Sequence, residues 1–264
     1  MRAQVYDALG AKVGSEILVN TTTANNQQDP DIVALASGGF DIFYSNYGAN
    51  PNLTYQQFDA TGAKAGTETG VSALNAFIGN PSVARLDSGG LAVTWQEFNS
   101  GTGNYDVMMQ RYDAAHAATG PIVMVNTITT SGQGEPDVAA LGNGRFVVTW
   151  TDFSASSIDL SGSTIRMQIY NDNGTAAGGE ILVPTNFNLD QENSSVTAVG
   201  NGNFVVAWTD AGNGLDANLT GSVAQMFDQN GAKIGSEFTL NTNTTGDQNF
   251  PSLTSLSGTS FMAI

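Results

Sequence analysis

Residues 136–150 read PDVAALGNGRFVVTW, and this stretch decides the fold. Two short apolar runs flank a Gly-Asn-Gly turn, and the second run ends in tryptophan. Such runs, bounded by glycine, asparagine and proline, are typical of β-strands joined in a hairpin. The first run recurs at 30–35, 81–86, 195–199 and 251–256. A glycine-containing turn and an apolar run follow each copy, and in four of them the run ends in a large aromatic residue: Tyr44, Trp95, Trp150 and Trp208.

A second marker repeats in step with the first. It is a glutamine followed three residues later by aspartate or asparagine, with an aromatic residue just before that residue, and its glutamines are Gln4, Gln56, Gln110, Gln168 and Gln225. Their successive spacings are 52, 54, 58 and 57 residues. Three residues further on, four copies have a glycine, which suits a tight hairpin turn. The remaining copy has His116, which we expect to be an exposed turn residue.

Each unit contains four short strand candidates, and in the third unit they span 136–141, 145–150, 165–170 and 180–183. No segment has the apolar periodicity of a long helix. Four strands repeated every 50 to 60 residues or so are typical of β-propeller blades. We therefore predict one all-β domain over residues 1–264, a propeller of five blades with four antiparallel strands each.

The phase of the repeats predicts how the ring closes. The blades are expected at approximately 30–80, 81–135, 136–193 and 194–250, with the fifth formed by 251–264 plus 1–29. Pairing of N- and C-terminal strands in that blade would remove exposed sheet edges. The alternative is that the sequence is a segment of a longer array, and the two interpretations are compatible.

Composition excludes several functional classes. The 264 residues carry a net charge of -16, so we expect no nucleic-acid partner and no binding to anionic membranes. No apolar stretch approaches the length of about 20 residues that a membrane-spanning helix needs, so membrane insertion is not expected either. Without cysteine there is no disulfide or thiolate chemistry, and a single histidine leaves little for an imidazole mechanism. The first residues also lack the apolar core of a secretory signal.

The units resemble repeats of large secreted bacterial proteins of the haemolysin-type calcium-binding (RTX) and adhesin group. The segments GRFVVTW (144–150) and GSEFTLN (235–241) carry the likeness, which spans nearly the whole chain. The resemblance implies signal-peptide-independent bacterial secretion and an extracellular or cell-surface location. One departure is that the glycine-rich nonapeptides that bind calcium in that group are absent.

Acidic residues cluster in the two long loops that follow Trp150 and Trp208. Calcium binds six to eight oxygens from carboxylates, amides, carbonyls and water, and these loops offer such groups on flexible backbone. They predict a calcium site in at least one loop. The spacing of an EF-hand loop is absent, and the alternative is a solvated loop that binds no metal. The candidate metal ligands are Asp152, Asp159, Asp210 and Asp216.

A second acidic group precedes the first strand of each blade. Because that strand is innermost in the usual blade order, these residues could ring one mouth of the central channel. Sugar or metal binding is possible there, and a glycosidase would use two such carboxylates as acid and base or nucleophile. A polar loop inherited by duplication is the alternative. The candidate channel-mouth ligands are Asp29, Glu135, Glu192 and Asp247.

The main functional prediction is a non-catalytic extracellular or cell-surface module for adhesion or assembly of a larger secreted bacterial protein. Its partners would be a protein or glycan at a cell surface or matrix, with self-assembly possible and calcium as the one possible cofactor. One alternative is a lectin-like propeller with an aromatic platform, for which Phe98 and Phe153 match each other while Asn46 and Ala211 interrupt the pattern. A further alternative is a glycoside hydrolase that uses the channel carboxylates.

Overall fold

A computed structural model describes residues 1–24, 26–47, 52–72, 77–154, 162–212, 220–242, 246–256 and 259–264. The described chain is all-β, and it contains no helix able to span a bilayer. The structure begins with a hairpin of β1 (Arg2–Tyr6) and β2 (Lys12–Leu18). The first four-stranded blade is β3 (Asn26–Ala34), β4 (Phe40–Tyr47), β5 (Asn52–Phe58) and β6 (Thr69–Ser72).

Three more antiparallel blades and a second hairpin follow in chain order. Blade 2 is β7 (Ile78–Arg85), β8 (Leu91–Asn99), β9 (Asn104–Tyr112) and β10 (Val123–Met124). Blade 3 is β11 (Gln133–Ala140), β12 (Arg145–Asp152), β13 (Thr164–Asn171) and β14 (Ile181–Leu182). Blade 4 is β15 (Gln191–Ala198), β16 (Phe204–Asp210), β17 (Gly221–Phe227) and β18 (Lys233–Thr239). The last hairpin pairs β19 (Leu253–Ser255) with β20 (Phe261–Ala263). This architecture confirms the predicted β-propeller.

The repeated glutamine has a structural role within each blade. In blade 3 the Gln168 side-chain amide donates to the carbonyls of Ile169, at 2.8 Å, and Gly178, at 3.3 Å. Gln225 makes the same pair of bonds in blade 4, to Met226 and Gly235. The side chain thus ties the third strand to the connection that leads to the fourth. This requirement explains why glutamine and the second glycine recur together.

The aromatic residue at the end of each second strand is buried between neighbouring blades. The exposed fraction of the Trp95, Trp150 and Trp208 side chains is 0%. Trp150 of blade 3 lies in one apolar cluster with Val107 and Met109 of blade 2, and Trp208 packs in the same way against blade 3. Buried aromatic side chains of this size dominate the energetics of a core. Apolar packing therefore joins the blades side by side, as the sequence predicts.

Hydrogen bonds join the innermost strands in addition to this packing. The Val83 N–H donates to Asp31 Oδ2 at 2.7 Å, from blade 2 to blade 1. The same step, from backbone N–H to a side-chain oxygen of the preceding blade, repeats around the ring. The further donor and acceptor pairs are Val138 to Ser82 at 3.2 Å, Val196 to Asp137 at 2.8 Å and Leu253 to Ser195 at 3.1 Å. We call these four bonds the inner ladder.

The fifth junction differs from these four. The residues that donate in the inner ladder in blades 2, 3 and 4, namely Val83, Val138 and Val196, are only 5 to 8% exposed. The equivalent residue of blade 1, Ile32, is 60% exposed. The Ile32 N–H bonds to the carboxylate of its own neighbour Asp31 at 2.8 Å. The two terminal hairpins form separate two-stranded sheets, and within the described residues β1 and β20 are not paired. The predicted closure through one shared blade is therefore not formed in this structure.

His116 lies in the left-handed region, at φ 63°, as expected of a residue in a glycine turn position. Its ring is not in solvent, however, but enters the interface between blades 1 and 2. Nε2 lies 2.6 Å from Oδ2 of the buried Asp41, and the imidazole stacks on Tyr55. Burial raises the pKa of Asp41, while the hydrogen bond to His116 lowers it. The prediction of an exposed turn residue is wrong because this turn packs against the preceding blade.

The inner ladder makes a testable prediction about stability. Ser195→Ala removes the acceptor of the Leu253 N–H and leaves that donor without its partner. An unsatisfied donor of this kind costs about 1 to 3 kcal/mol, so the free energy of unfolding should fall by an amount in that range. Urea unfolding measures it, with the exposed turn residue Ser37→Ala as a control. Equal stability of the two variants would contradict an energetic role for the ladder.

Candidate functional site

Each innermost strand, or the segment that leads to it, contains a backbone kink. The kink lies three residues before the position that donates in the inner ladder or, in blade 1, before Ile32. The residue is not glycine, yet φ lies in the left-handed region in all five repeats, at Asp29 (52°), Asn80 (49°), Glu135 (52°), Asn193 (55°) and Phe250 (58°). In the four complete blades the strand register shifts at this point, as in a β-bulge. Left-handed conformations of residues other than glycine cost of order 1 kcal/mol and cluster at functional sites. We call these five positions the mouth ring.

Interblade hydrogen bonds hold the mouth ring in this conformation. The Glu135 N–H donates to Gln96 Oε1 at 3.0 Å, and the Phe250 N–H donates to Thr209 Oγ1 at 2.9 Å. The Asn193 N–H lies between Thr151 Oγ1, at 3.2 Å, and Glu135 Oε2, at 3.1 Å. In each case the acceptors include the residue directly after the buried tryptophan of the preceding blade. The packing that holds the blades together thus also fixes the backbone of the mouth.

A cavity of about 550 Å³ opens at the mouth ring. It is lined by residues of the innermost strands of blades 1 to 4 and by the segment that leads to β19. Three carboxylates face it, among asparagines, serines, prolines and Phe250. They are Asp31, Glu135 and Asp137.

Asp31 and Asp137 both belong to the inner ladder, but their environments differ. Burial raises the pKa of Asp31 to about 6, against the hydrogen bonds from Val83 and Ile32, and the negative charge of Asp137 adds to the increase. Burial also raises the pKa of Asp137, whose carboxylate accepts bonds from Val196, Ser82 and Val138. Asp31 therefore changes charge near neutral pH, as an acid catalyst must.

Glu135 is the carboxylate of the cavity that lies in the mouth ring itself. Its Oε2 accepts the Thr151 hydroxyl at 2.8 Å and the Asn193 N–H at 3.1 Å. These two hydrogen bonds fix the position of the Glu135 carboxylate beside the cavity. Asp31 is in blade 1 and Glu135 in blade 3, so blade 2 separates the two along the ring.

The other predicted mouth residues lie outside the cavity lining. Asp29 is in the mouth ring and its Oδ2 accepts the Tyr47 hydroxyl at 3.3 Å. Glu192 is one residue before its ring position, and it accepts the Ser163 hydroxyl at 3.0 Å. Burial raises the pKa of Glu192 despite that bond. Asp247 is exposed and accepts the Thr220 hydroxyl at 3.2 Å.

The ring positions could have been found by counting back from the strands rather than by searching for acids. In four units the ring residue precedes a proline, and the blade 4 unit has Ser194 in place of that proline. Asn193 therefore corresponds to Glu135, although its neighbour Glu192 carries the charge. Asp31 and Asp137 directly follow those prolines, and nothing in the local sequence indicates that burial raises the pKa of both carboxyl groups.

Of the four predicted metal ligands, Asp152 and Asp210 fall within the described residues, while Asp159 and Asp216 lie outside them. Asp152 is buried, its Oδ2 is 2.5 Å from Nε of Arg166, and its Oδ1 accepts the Gln133 amide at 2.6 Å. Asp210 is also buried and accepts the N–H of Gly212 at 2.9 Å. Both environments are buried, which differs from the solvated loop that is the alternative to a calcium site.

The part of the chain that the structure describes contains no group of three or more histidine, aspartate and glutamate side chains arranged to hold a metal. Calcium binding by the long loops stays a prediction, since half of its proposed ligands are in segments outside that part.

Aromatic residues repeat beside the mouth. Each lies three residues after the buried aromatic residue of the second strand, and they are Tyr47, Phe98 and Phe153, with Ala211 in blade 4. The register of the sheets places all four at equivalent positions. The interruption predicted at Asn46 is wrong, because the equivalent position in blade 1 is the next residue, Tyr47. Three neighbouring blades therefore carry an aromatic side chain at the same place.

Neither a family model nor a curated protein sequence matches the chain. Solved structures do match it. One is an alpha-L-arabinofuranosidase from Lactobacillus brevis, with a TM-score of 0.53 and 13% identity over 90% of this chain and 82% of that one. Another is an alpha-L-arabinanase from Penicillium chrysogenum complexed with arabinobiose, with a TM-score of 0.62 and 15% identity over 86% and 70%. A third is the GH93 alpha-L-arabinofuranosidase of Fusarium graminearum with arabinobiose, with a TM-score of 0.60 and 11% identity over 92% and 72%.

At these identities the likeness establishes a shared propeller fold. The neighbours nevertheless contradict two predictions made from the sequence, that the chain is a non-catalytic adhesion or assembly module and that it is not an enzyme. Both are wrong on this comparison, because the three matched structures above are named as an arabinanase and two arabinofuranosidases. Absence of cysteine and near-absence of histidine do not exclude an enzyme, since two carboxylates suffice to hydrolyse a glycoside.

The raised pKa of Asp31 predicts a pH dependence of stability. The folded protein keeps this proton up to about pH 6, whereas the ordinary pKa of the carboxyl is 3.8. The raised pKa of Asp31 therefore contributes about 3 kcal/mol to the free energy of unfolding below about pH 4, relative to its value above about pH 6. This contribution is lost as the pH rises from about 4 to 6. Urea unfolding of wild type and Asp31→Asn at pH 4 and pH 7.5 measures it. The decline should be smaller in the variant, and an equal decline would contradict the assignment.

Proposed function

We propose that this chain is a glycoside hydrolase whose active site is the cavity at the mouth ring. The supporting observation is that two carboxylates line one cavity: burial raises the pKa of Asp31 to about 6, and the Glu135 carboxylate accepts the Thr151 hydroxyl and the Asn193 N–H. Glycoside hydrolysis typically requires two carboxyl groups at one site. Exposed aromatic side chains beside the cavity, such as Phe153, are the kind of surface on which sugar rings stack.

Asp31 is assigned as the general acid. In its protonated form it transfers its proton to the glycosidic oxygen, as the bond from that oxygen to the anomeric carbon breaks. The backbone N–H groups of Val83 and Ile32 hold its two oxygens in place, at 2.7 and 2.8 Å. They then stabilise the carboxylate that remains.

Glu135 is assigned as the general base. It takes a proton from a water molecule while the water oxygen bonds to the anomeric carbon, so each product gains one hydroxyl group. A water molecule fits between acid and base only if the carboxyl groups are about 6.5 to 9.5 Å apart. The position of the two residues on blades that are not adjacent favours this wider arrangement, and hence inversion at the anomeric carbon.

The substrate class follows from charge and from the matched propellers. A net charge of -16 disfavours phosphorylated or uronic sugars and favours neutral ones. Two of the matched structures contain arabinobiose, so neutral arabino-oligosaccharides are the first substrates to test. Secretion, a surface location and the likeness to RTX proteins stay predictions.

Glycan binding without turnover is a second candidate. The equivalent aromatic residues of blades 1 to 3, Tyr47, Phe98 and Phe153, favour it because a lectin also needs such a platform. Binding with no release of reducing sugar by the wild type would select this candidate over the hydrolase.

Substitution of either carboxylate tests the assignment. Glu135→Gln and Asp31→Asn should each lower the rate of reducing-sugar release from arabino-oligosaccharides by about 10²- to 10⁴-fold, since each removes a proton-transfer group. Asp247→Asn is the matched control, because Asp247 lies outside the cavity lining. The assignment would not survive full activity in Glu135→Gln.

The pH profile of hydrolysis tests the role of Asp31 separately. The acid acts only while protonated, so kcat/KM should fall about tenfold per pH unit above pH 6 or so. The residual activity of Asp31→Asn should lack this decline. A wild-type profile that stays flat from pH 5 to 8 would remove Asp31 from the mechanism.

A further inference from the structure

Blade 2 carries a row of three aromatic side chains at the mouth end of its strands. Phe98 and Tyr105 are direct partners across β8 and β9, and the Phe98 N–H donates to the Phe77 carbonyl at 2.9 Å. The rings of Phe77 and Phe98 are 6.2 Å apart, and those of Phe98 and Tyr105 are 5.5 Å apart, both edge to face. We call this row the aromatic shelf.

The aromatic shelf is not required by the fold of a blade. In blade 3 the same row contains Gly132, Phe153 and Ser163, and in blade 4 it contains Asp190, Ala211 and Thr220. Those blades fold with the same register and the same buried tryptophan. Phe77 is 52% exposed, so the shelf presents apolar ring surface to solvent. Apolar clusters of this kind at a protein surface often mark a ligand site.

The shelf is continuous with the mouth of the channel. Gln96 lies two residues before Phe98 on the same strand, so both side chains are on one face of the sheet. Gln96 Oε1 accepts the Asn80 amide at 3.2 Å and the Glu135 N–H at 3.0 Å, and both partners belong to the mouth ring. A ligand that leaves the cavity over blade 2 therefore meets the shelf next.

The other end of the shelf reaches blade 1. Burial raises the pKa of Tyr47, the neighbouring charge of Asp29 raises it further, and Tyr105 contributes as well, so these groups are close together. The Tyr47 hydroxyl donates to Asp29 Oδ2 at 3.3 Å. Polar groups that can bond sugar hydroxyls thus border the rings.

We propose that the aromatic shelf is a subsite that stacks a sugar ring outside the cavity, so that the ligand is an extended neutral oligosaccharide of three or more units. This inference rests on the proposed function, because it assumes that a glycan occupies the mouth. The proposal assigns a disaccharide to the cavity alone and a longer chain to the cavity and the shelf together. The shelf therefore sets a preference for chain length.

Calorimetric titration with arabinobiose and arabinohexaose tests the proposal in the Glu135→Gln protein, which prevents turnover. Arabinohexaose should bind more tightly than arabinobiose. Adding Phe77→Ala should weaken arabinohexaose binding about 3- to 10-fold, the range expected for loss of one aromatic stacking contact, and leave arabinobiose binding unchanged. Phe77→Trp should restore the affinity, and Phe238→Ala, an exposed phenylalanine on the outer strand β18, is the matched control.

The outcomes separate the shelf from the proposed function. Equal affinities for the two sugars, or the same affinities in the Phe77→Ala and Phe238→Ala proteins, would overturn the shelf while binding at the mouth stands. Failure of both sugars to bind, with no hydrolysis by the wild type, would overturn the proposed function and the shelf together. If Phe77→Ala lowers the melting temperature, the test uses Phe77→Trp instead. Arabinohexaose and arabinobiose binding is then compared between the Glu135→Gln protein with Phe77→Trp and the Glu135→Gln protein alone. Loss of the preference for arabinohexaose in the Phe77→Trp protein would count against stacking.

Discussion

The constraint on which this structure depends is the contact between neighbouring blades. A single sheet of four strands buries too little apolar surface on its own, and each blade obtains the rest from the tryptophan or tyrosine of the next. The inner ladder and the bonds to the mouth ring fix the relative positions of neighbouring blades, because a hydrogen bond has a narrower range of distances and angles than an apolar contact. The same contacts that stabilise the propeller therefore also determine where Asp31 and Glu135 lie.

Much of the fold could be predicted from the sequence because its repeats are local and each has one physical cause. The marker glutamine bonds the third strand to the connection that leads to the fourth. The large aromatic residue of the second strand fills the space between neighbouring blades. These requirements recur in every unit, so their spacing predicts four strands per blade. The pairing of the terminal strands could not be settled in this way, since nothing in the local pattern describes the junction at Ile32.

The site was less predictable because its determining features are not carried by residue type. The mouth ring is defined by backbone conformation, and it contains aspartate, asparagine, glutamate and phenylalanine at equivalent positions. A search for acidic residues therefore selected Glu192 and Asp247 and passed over Asp31. Asp152 is predicted as a calcium ligand because it lies in the acidic loop after Trp150, whereas its carboxylate is buried and paired with Arg166.

The open junction at Ile32 makes the inner ladder a line with two ends. In a repeat structure whose stability comes from nearest neighbours, an element supported on one side opens more readily than one supported on both. Amide exchange should accordingly be slowest in blades 2 and 3 and fastest in the two terminal hairpins. Asp31 borders the unsupported junction while Glu135 lies in a doubly supported blade. The proposed acid and base thus lie in blades with unequal support, because within the described residues blade 1 takes part in one bond of the inner ladder and blade 3 in two.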